Sequence, residues 1–150
     1  MPHCGWIPSR GADQLIEHYC ARLATTYCHL VDHGQAALAA DLFSDDGVWR
    51  FGGIVWNGRS AIAAGLKARQ DNTGRMSRHV CTNLLVDVIG ATKATGVVYL
   101  TLYRHDGPAG RAESPMDLPT FVGEYRDEFV LTDQGWRISH RELHVSFRRL

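Results

Sequence analysis

The sequence has no excess of charge of either sign. Its 150 residues include 16 Lys and Arg and 16 Asp and Glu, for a formal net charge of +0, and they contain no long basic run. Proteins that bind nucleic acid or anionic membranes by charge usually present a basic patch. We therefore expect neither nucleic acid nor a membrane as a partner.

Long hydrophobic runs are also missing. No apolar segment approaches the roughly 20 residues of a membrane span. The first residues, Met1 to Pro8, lack the charged and apolar regions of a signal peptide. These two absences predict a cytoplasmic protein.

Motifs for metals and cofactors are scarce. The four cysteines show no C-x-x-C spacing and are expected to be free thiols, and no glycine-rich phosphate loop follows a predicted strand. The best metal pattern is the alternation of His140, Glu142 and His144, which a regular strand would place on one face. We expect solvated or interface histidines there, and neither a metal nor a cofactor.

What the sequence does contain suits one globular domain over residues 1–150. A chain of this length buries roughly two-thirds of its unfolded surface, and 45% of its residues are hydrophobic. Four Trp, five Tyr and five Phe could line an apolar pocket. Residues 1–10 are expected to form a flexible arm, and the polar, Gly- and Pro-rich residues 106–120 a mobile loop.

Helices are predicted in the first half of the chain. Apolar residues recurring every four positions indicate an amphipathic helix over about 11–31. A short second helix is expected over 36–43. A third is expected to end near residue 70, with Asn57 or Ser60 as its N-cap.

Strands dominate the second half. A turn is expected at 45–47, before a short strand and a small hairpin. Four long antiparallel strands then follow, at about 77–88, 91–104, 121–131 and 136–147. Helices followed by antiparallel strands indicate an α+β fold.

His79, near the start of the first long strand, is the best candidate for a general base, because imidazole titrates near neutral pH. A lone strand histidine is more often a core residue that hydrogen-bonds a carbonyl. In a regular pleat, Leu84, Val86 and Val88 would lie on the face opposite His79. Either the strand has a bulge or both of its faces are covered, and we expect the second at least in part, with a partner subunit outside.

Several segments in fixed order resemble the SnoaL-like branch of the nuclear-transport-factor-like superfamily. They are a helix ending in Asp32, Leu42-Phe43-Ser44-Asp45-Asp46-Gly47-Val48-Trp49, Gly58-Arg59-Ser60-Ala61-Ile62, Arg78-His79, and Asp133-Gln134-Gly135-Trp136-Arg137-Ile138. The resemblance implies a curved antiparallel sheet that forms a cone, a cystatin-like α+β barrel, with three amino-terminal helices packed over its mouth.

Within this branch the chain is most similar to cofactor-free lyases: scytalone dehydratase, bile-acid 7α-dehydratase and γ-hexachlorocyclohexane dehydrochlorinase. The resemblance pairs His79 with Asp32, which would fix the imidazole tautomer and stabilise imidazolium. It also places Trp49, Arg141 and Tyr27 in the pocket, where Arg141 or Tyr27 would stabilise an oxyanion or a leaving group. Trp136 and Arg141 can share a face only if a bulge separates them.

The predicted function is a dehydratase-type elimination on a bulky apolar cyclic substrate that is aromatic, polycyclic or steroid-like. The expected catalytic residues are His79, Asp32, Tyr27 and Arg141. Further pocket walls are expected at Trp49, Leu100, Leu102, Tyr125 and Phe129. At Leu102 the dehydratases have a polar group, so acid assistance would fall to Tyr27 or Tyr125.

Two alternatives stay open. One is a polyketide cyclase or ketosteroid-isomerase-like isomerase, and the other is a ligand-binding cone without chemistry. The resemblance also favours a homotrimer. Asp127 is expected to form a structural ion pair with an arginine.

Overall fold

The computed structural model describes residues 11–150; residues 1–10, where a flexible arm is expected, lie outside the described part. The described residues form three helical segments: helix α1 (Gly11–Asp32), a 3-10 helix (Ala36–Leu42) and helix α2 (Arg59–Asp71). The short second helix is of the 3-10 type, which is the usual form for brief connecting segments. None of the described helices is long and apolar enough to cross a membrane.

The start of α2 differs from the prediction. Gly58 occupies the N-cap position, and no side chain makes a capping hydrogen bond there. Its φ of 86° lies in the left-handed region that favours glycine, and its N–H donates to the carbonyl of Gly47 at 2.7 Å. Asn57 and Ser60 are therefore not the cap, because the backbone contact with the neighbouring strand decides where the helix begins.

In the described part of the chain, six strands form one sheet with the order β2-β1-β6-β5-β4-β3. The strands are β1 (Phe43–Phe51), β2 (Ile54–Asn57), β3 (Arg75–Gly90), β4 (Lys93–Asp106), β5 (Phe121–Thr132) and β6 (Gly135–Arg148). The α+β class is confirmed, but the sheet is mixed and not wholly antiparallel, because β1 pairs with β6 in parallel. β6 therefore lies between β1 on one side and its antiparallel hairpin partner β5 on the other.

The turn expected at residues 45–47 is wrong. These residues lie inside β1, where Phe43 pairs with Ile138 and pairing resumes only at Val48 with His140. Phe43 and Val48 are five positions apart, whereas their partners Ile138 and His140 are two apart. The acidic, glycine-containing residues 44–47 are therefore an irregular stretch within a strand. A bulge uses the same residue types as a turn, which explains the error.

Strand β3 contains a bulge, one of the two options that the pattern of its apolar residues left open. The register with β4 shifts between Thr82 and Leu85, and Asn83 adopts a positive φ of 55°. Asn tolerates this conformation better than most residues. As a result Cys81 and Leu84 both pack against the core.

Strand β6 contains the bulge that Trp136 and Arg141 need in order to share one face of the sheet. Glu128 pairs with His140 and Phe129 with Ile138, so Ser139 is the extra residue. Because of this shift, Ile138 and Arg141 are both fully buried. Bulges bend strands and increase their twist, so they also contribute to the curvature of the sheet.

One main core lies between α1 and the inner face of the sheet. The helix contributes a buried stripe that includes Cys20, Leu23 and Tyr27, and β4 and β5 contribute alternate residues such as Leu100 and Tyr125. Residues 107–120 have no regular secondary structure. The mobility of this loop stays a prediction.

Candidate functional site

Asp32 and His79 are in direct contact and form a dyad. Asp32 ends α1, and His79 lies near the start of β3. The Nδ1 atom of His79 is 2.6 Å from Oδ1 of Asp32, and the backbone N–H of His79 donates to Oδ2 at 2.8 Å. The two side chains are only 10% and 6% exposed. A carboxylate can only accept, so Nδ1 holds the hydrogen, and in the neutral ring Nε2 has the free lone pair.

Two further residues extend this pair, and the sequence analysis missed both. Ser77 is 2% exposed, and its hydroxyl donates to Oδ1 of Asp32 at 2.7 Å. The same hydroxyl oxygen accepts a hydrogen bond from Nη2 of Arg69 at 2.9 Å. The available signal was position, because Ser77 precedes His79 by two residues and so shares its face of β3.

Electrostatics favour an ionised Asp32. Burial alone would raise the pKa of this carboxyl, and the helix dipole also opposes a negative charge at the end of α1. The hydrogen bonds and charge of His79, together with the Ser77 hydroxyl, outweigh burial and hold the pKa below its usual value. A charged Asp32 can therefore stabilise imidazolium when His79 takes up a proton.

A second buried pair joins Asp127 and Arg141, as expected for Asp127. The guanidinium donates from Nε and Nη2 to the two carboxylate oxygens, each at 2.7 Å. Burial would lower the pKa of Arg141, but the Asp127 carboxylate raises it above its usual value. The third nitrogen, Nη1, is buried and has no hydrogen-bond partner among residues 11–150.

Aromatic rings enclose this guanidinium. Its Cζ atom lies 4.1 Å from the ring centroid of Tyr125 and 4.5 Å from that of Tyr27. Contacts of this kind with ring faces are cation–π interactions. The structure thus brings the expected site residues Tyr27, Tyr125 and Arg141 into one cluster.

Trp49 also joins this cluster. Its Nε1–H donates to the hydroxyl oxygen of Tyr27 at 3.1 Å, and its ring stacks on Trp56 at a centroid distance of 4.6 Å. Trp56 in turn packs against Gly65 of α2, where an added Cβ would lie 2.2 Å from the indole. The close approach of helix and ring therefore requires glycine at position 65.

The phenol of Tyr27 is a neutral donor at physiological pH. Complete burial raises its pKa to about 12, since the charged form is poorly solvated in the core. The hydroxyl oxygen accepts from Trp49, which leaves the phenol hydrogen for another acceptor.

The other predicted wall residues divide into two groups. Leu102 pairs with His79 across β3 and β4, and Leu100 pairs with Cys81, so both lie beside the dyad. Phe129 does not. Leu102 pairs with Phe121, and Phe129 is eight positions further along β5, roughly 26 Å of extended strand. It packs near Ala94 and Gly96 at the other end of the sheet.

Of the three alternating residues of β6 considered as metal ligands, Glu142 and His144 are in contact. Nε2 of His144 is 3.3 Å from a carboxylate oxygen of Glu142. Within residues 11–150, no group of three or more His, Cys, Asp or Glu side chains is arranged to hold a metal ion.

A groove of about 480 Å³ lies elsewhere, under residues 112–118. Arg78, Val80 and Tyr103 line it, and these residues alternate with His79 and Leu102, which face the core. These three residues lie on the outer side of the sheet, whereas Ser77, which donates to Asp32, lines the groove from the inner face.

Comparison with protein families identifies this fold. A model of the SnoaL-like domain matches residues 15–142, most of the chain. The chain belongs to the SnoaL-like family. A comparison of this SnoaL-like protein with curated proteins gives no match.

Solved structures share the fold along nearly the whole chain. A Novosphingobium aromaticivorans protein provisionally named scytalone dehydratase is 19% identical, with a TM-score of 0.78 over 92% of this chain and 89% of that one. The hexachlorocyclohexane dehydrochlorinase LinA type 2 is 16% identical, with a TM-score of 0.74 and coverage of 92% and 90%.

A third structure is nearer in sequence. An NTF2-like protein with a cystatin-like fold, also from Novosphingobium aromaticivorans, is 26% identical, with a TM-score of 0.71 over 88% of this chain and 84% of that one. These similarities confirm the predicted superfamily. The proteins that share the fold include one provisionally named scytalone dehydratase, a hexachlorocyclohexane dehydrochlorinase and a protein of unknown function.

Proposed function

We propose that this SnoaL-like protein is a cofactor-independent lyase that eliminates water, or a comparable leaving group, from a bulky apolar cyclic molecule. The observation behind the proposal is the buried contact between Asp32 and His79. A surface pair would exchange partners with water, whereas this one is held by both carboxylate oxygens and by Ser77.

His79 is the base in this mechanism. Its Nε2 lone pair takes a proton from a carbon next to an electron-withdrawing group, and Asp32 stabilises the imidazolium that forms. The electrons of the broken C–H bond form the new double bond as the leaving group departs from the adjacent carbon. When the leaving group is hydroxyl, it departs with the proton as water, and neutral His79 is regenerated.

Two groups are suited to stabilise developing negative charge. The Tyr27 phenol stays protonated because its pKa is raised to about 12. Arg141 has a buried Nη1 with an unused hydrogen-bonding capacity. Preorganised donors of this kind often supply the largest part of a barrier reduction. We assign both to the carbonyl or leaving-group oxygen of the substrate.

The surroundings favour an apolar ring system as substrate. Trp49, Leu100, Leu102 and Tyr125 are buried aromatic and aliphatic side chains, and we propose that they line the site around a few polar tips, as in most small-molecule sites. We propose that the curved sheet closes as a cone around this ligand, with the helices over its mouth.

A turnover assay in deuterated water tests the proposal. Racemic cyclic β-hydroxy ketones and polychlorinated cyclohexanes are suitable probes, because each has an acidic C–H next to a carbon with a leaving group. We expect an unsaturated product that has lost water or HCl, detected by mass spectrometry. His18→Ala, which changes an exposed histidine of α1, is the matched control and should retain activity.

Other results assign other functions. Deuterium uptake with no loss of the leaving group would favour the isomerase or cyclase, which shares the proton abstraction. Ligand-induced thermal stabilisation with neither exchange nor turnover, across both probe classes, would favour a binding protein and refute the lyase.

A homotrimer is proposed for the assembly. Val80, Leu85 and Tyr99 on β3 and β4 are 45%, 44% and 50% exposed, although they are large and apolar. Such surface is often covered by another subunit. Light scattering that gives the mass of a monomer at micromolar concentration would refute the trimer without affecting the proposed chemistry.

A further inference from the structure

Two cysteine thiols form a second link between α1 and β3, beside the dyad. The Sγ atoms of Cys28 and Cys81 are 3.4 Å apart. Cys28 lies one helical turn before Asp32, and Cys81 follows His79 by two residues on the same face of β3. The mechanism proposed above uses neither thiol.

The two thiols differ in environment. Cys28 is 5% exposed, and both its hydrogen bond to Cys81 and burial raise its pKa. For Cys81 the same hydrogen bond lowers the pKa, and the charge of Arg141 acts in the same direction against burial. Cys81 is also partly accessible. The thiolate therefore forms preferentially at Cys81, with the S–H of Cys28 donating to it.

We propose that Cys28 and Cys81 form an oxidisable dithiol site, which a peroxide converts into a disulfide that links α1 to β3. The site does not depend on the proposed lyase activity, since it rests on the position of the two sulfur atoms.

The chemistry follows in two balanced steps. The Cys81 thiolate attacks one oxygen of the peroxide; the O–O bond breaks, hydroxide or alkoxide leaves, and Cys81 becomes a sulfenic acid. The Cys28 sulfur then attacks the Cys81 sulfur, the S–O bond breaks, and water leaves with the thiol proton. Two thiols and one hydrogen peroxide thus give one disulfide and two waters. An accessible, low-pKa cysteine next to a resolving thiol is the usual arrangement for this reaction.

The other described cysteine provides an internal reference. Cys20 is completely buried in α1, and burial raises its pKa to about 12. Peroxide should leave it reduced under conditions that oxidise the pair. A general loss of thiols on unfolding would instead modify Cys20 as well.

Peptide mapping of the full chain without reductant tests the proposal. After treatment with hydrogen peroxide, we expect a cross-linked peptide pair containing Cys28 and Cys81, lighter by two hydrogens than the separate peptides and separated again by dithiothreitol. Because the bond would close a loop between residues 53 positions apart, the melting temperature should also rise by several degrees.

Variants give the order of the steps. Cys28→Ser should trap a Cys81 sulfenic acid that dimedone labels, whereas Cys81→Ser should abolish oxidation at Cys28, and Cys20→Ser should leave the cross-link unchanged. If wild-type Cys81 proceeds to the sulfinic acid without a cross-link, or if Cys20 and the pair oxidise at equal rates, the dithiol site does not exist.

Discussion

The carboxylates of Asp32 and Asp127 are both largely withdrawn from solvent, but the pairs that they form have opposite characters. Asp127 is paired with Arg141, whose charge is permanent, and both side chains are at most 1% exposed. Asp32 is paired with His79, whose imidazole exists in a neutral and a charged form, at side-chain exposures of 6% and 10%.

The two carboxylates also differ in the hydrogen-bond donors that contact them. Asp127 accepts two hydrogen bonds from one guanidinium, in a bidentate arrangement. Asp32 accepts from an imidazole, a backbone N–H and the Ser77 hydroxyl, so it stays solvated by dipoles whichever form His79 takes. One pair therefore has fixed charges, whereas the charge of the other depends on one proton, and the second pair is the one that we propose as the proton-transfer centre.

The largest expected effect is on turnover. His79→Ala removes the proposed base and should lower kcat on the active probe by about 10²- to 10⁴-fold. Asp32→Asn should also lower it, because the amide cannot stabilise imidazolium and can favour the wrong tautomer. Steady-state kinetics on the two single variants and the double variant measures these effects.

Non-additivity is the decisive feature of that series. If the two residues act as one unit, the double variant should be little slower than His79→Ala alone. Losses that multiply independently would show that Asp32 and His79 do not work together, and the dyad would lose its distinction from the Asp127 pair.

The next effect is on stability. Asp127→Asn leaves the Arg141 charge buried without a counter-ion, and the free energy of unfolding should fall by about 3–5 kcal/mol. Urea denaturation measures this loss. Asp71→Asn, which breaks the exposed pair with Lys67, is the matched control and should cost less than about 1 kcal/mol.

A double replacement sharpens this result. Asp127→Leu combined with Arg141→Met removes both charges, so most of the stability should return. A double variant as unstable as Asp127→Asn would show that side-chain packing, rather than the unpaired charge, accounts for the loss.

The smallest effect concerns the hydrogen bond of Ser77. Ser77→Ala removes one donor from Asp32 and leaves Nη2 of Arg69 without this acceptor, at a cost of about 1–2 kcal/mol near neutral pH. Ser60→Ala, at an exposed position of α2, should change stability by less than about 0.5 kcal/mol.

The pH dependence identifies which carboxylate is involved. The pKa of Asp32 is lowered in the folded protein, so its stabilisation is present above the unfolded pKa of about 3.9 and is lost as the pH falls through the folded value. Ser77→Ala raises that pKa toward normal. The advantage of the wild type should therefore shrink in acid, and a gap independent of pH from 7 to 3 would contradict the link between Ser77 and Asp32.

Local patterns predicted most of the fold. The four-residue recurrence of apolar residues located α1, and alternating residues located four long strands, because both patterns depend on which side of an element faces the core. The errors lie where contacts between distant segments determine the local structure, as at the N-cap of α2 and in the irregular stretch of β1.

The candidate site was predicted less completely. Residue chemistry singled out His79, and the family resemblance supplied Asp32 as its partner. Ser77, Arg69 and the thiol pair were missed, because the two-residue spacing of Ser77 and Cys81 from His79 becomes informative only when the helices that face β3 are known.

The sequence by itself determined the periodicity of the elements, the neutral charge balance and the presence of one histidine suited to act as a base. Only the tertiary structure decided that Asp32, 47 positions earlier in the chain, meets His79 at 2.6 Å. It also decided that Ser139 shifts Arg141 into the core. The physical reason is that periodicity is a property of neighbouring residues, whereas register shifts and helix-to-strand contacts depend on how the whole chain packs.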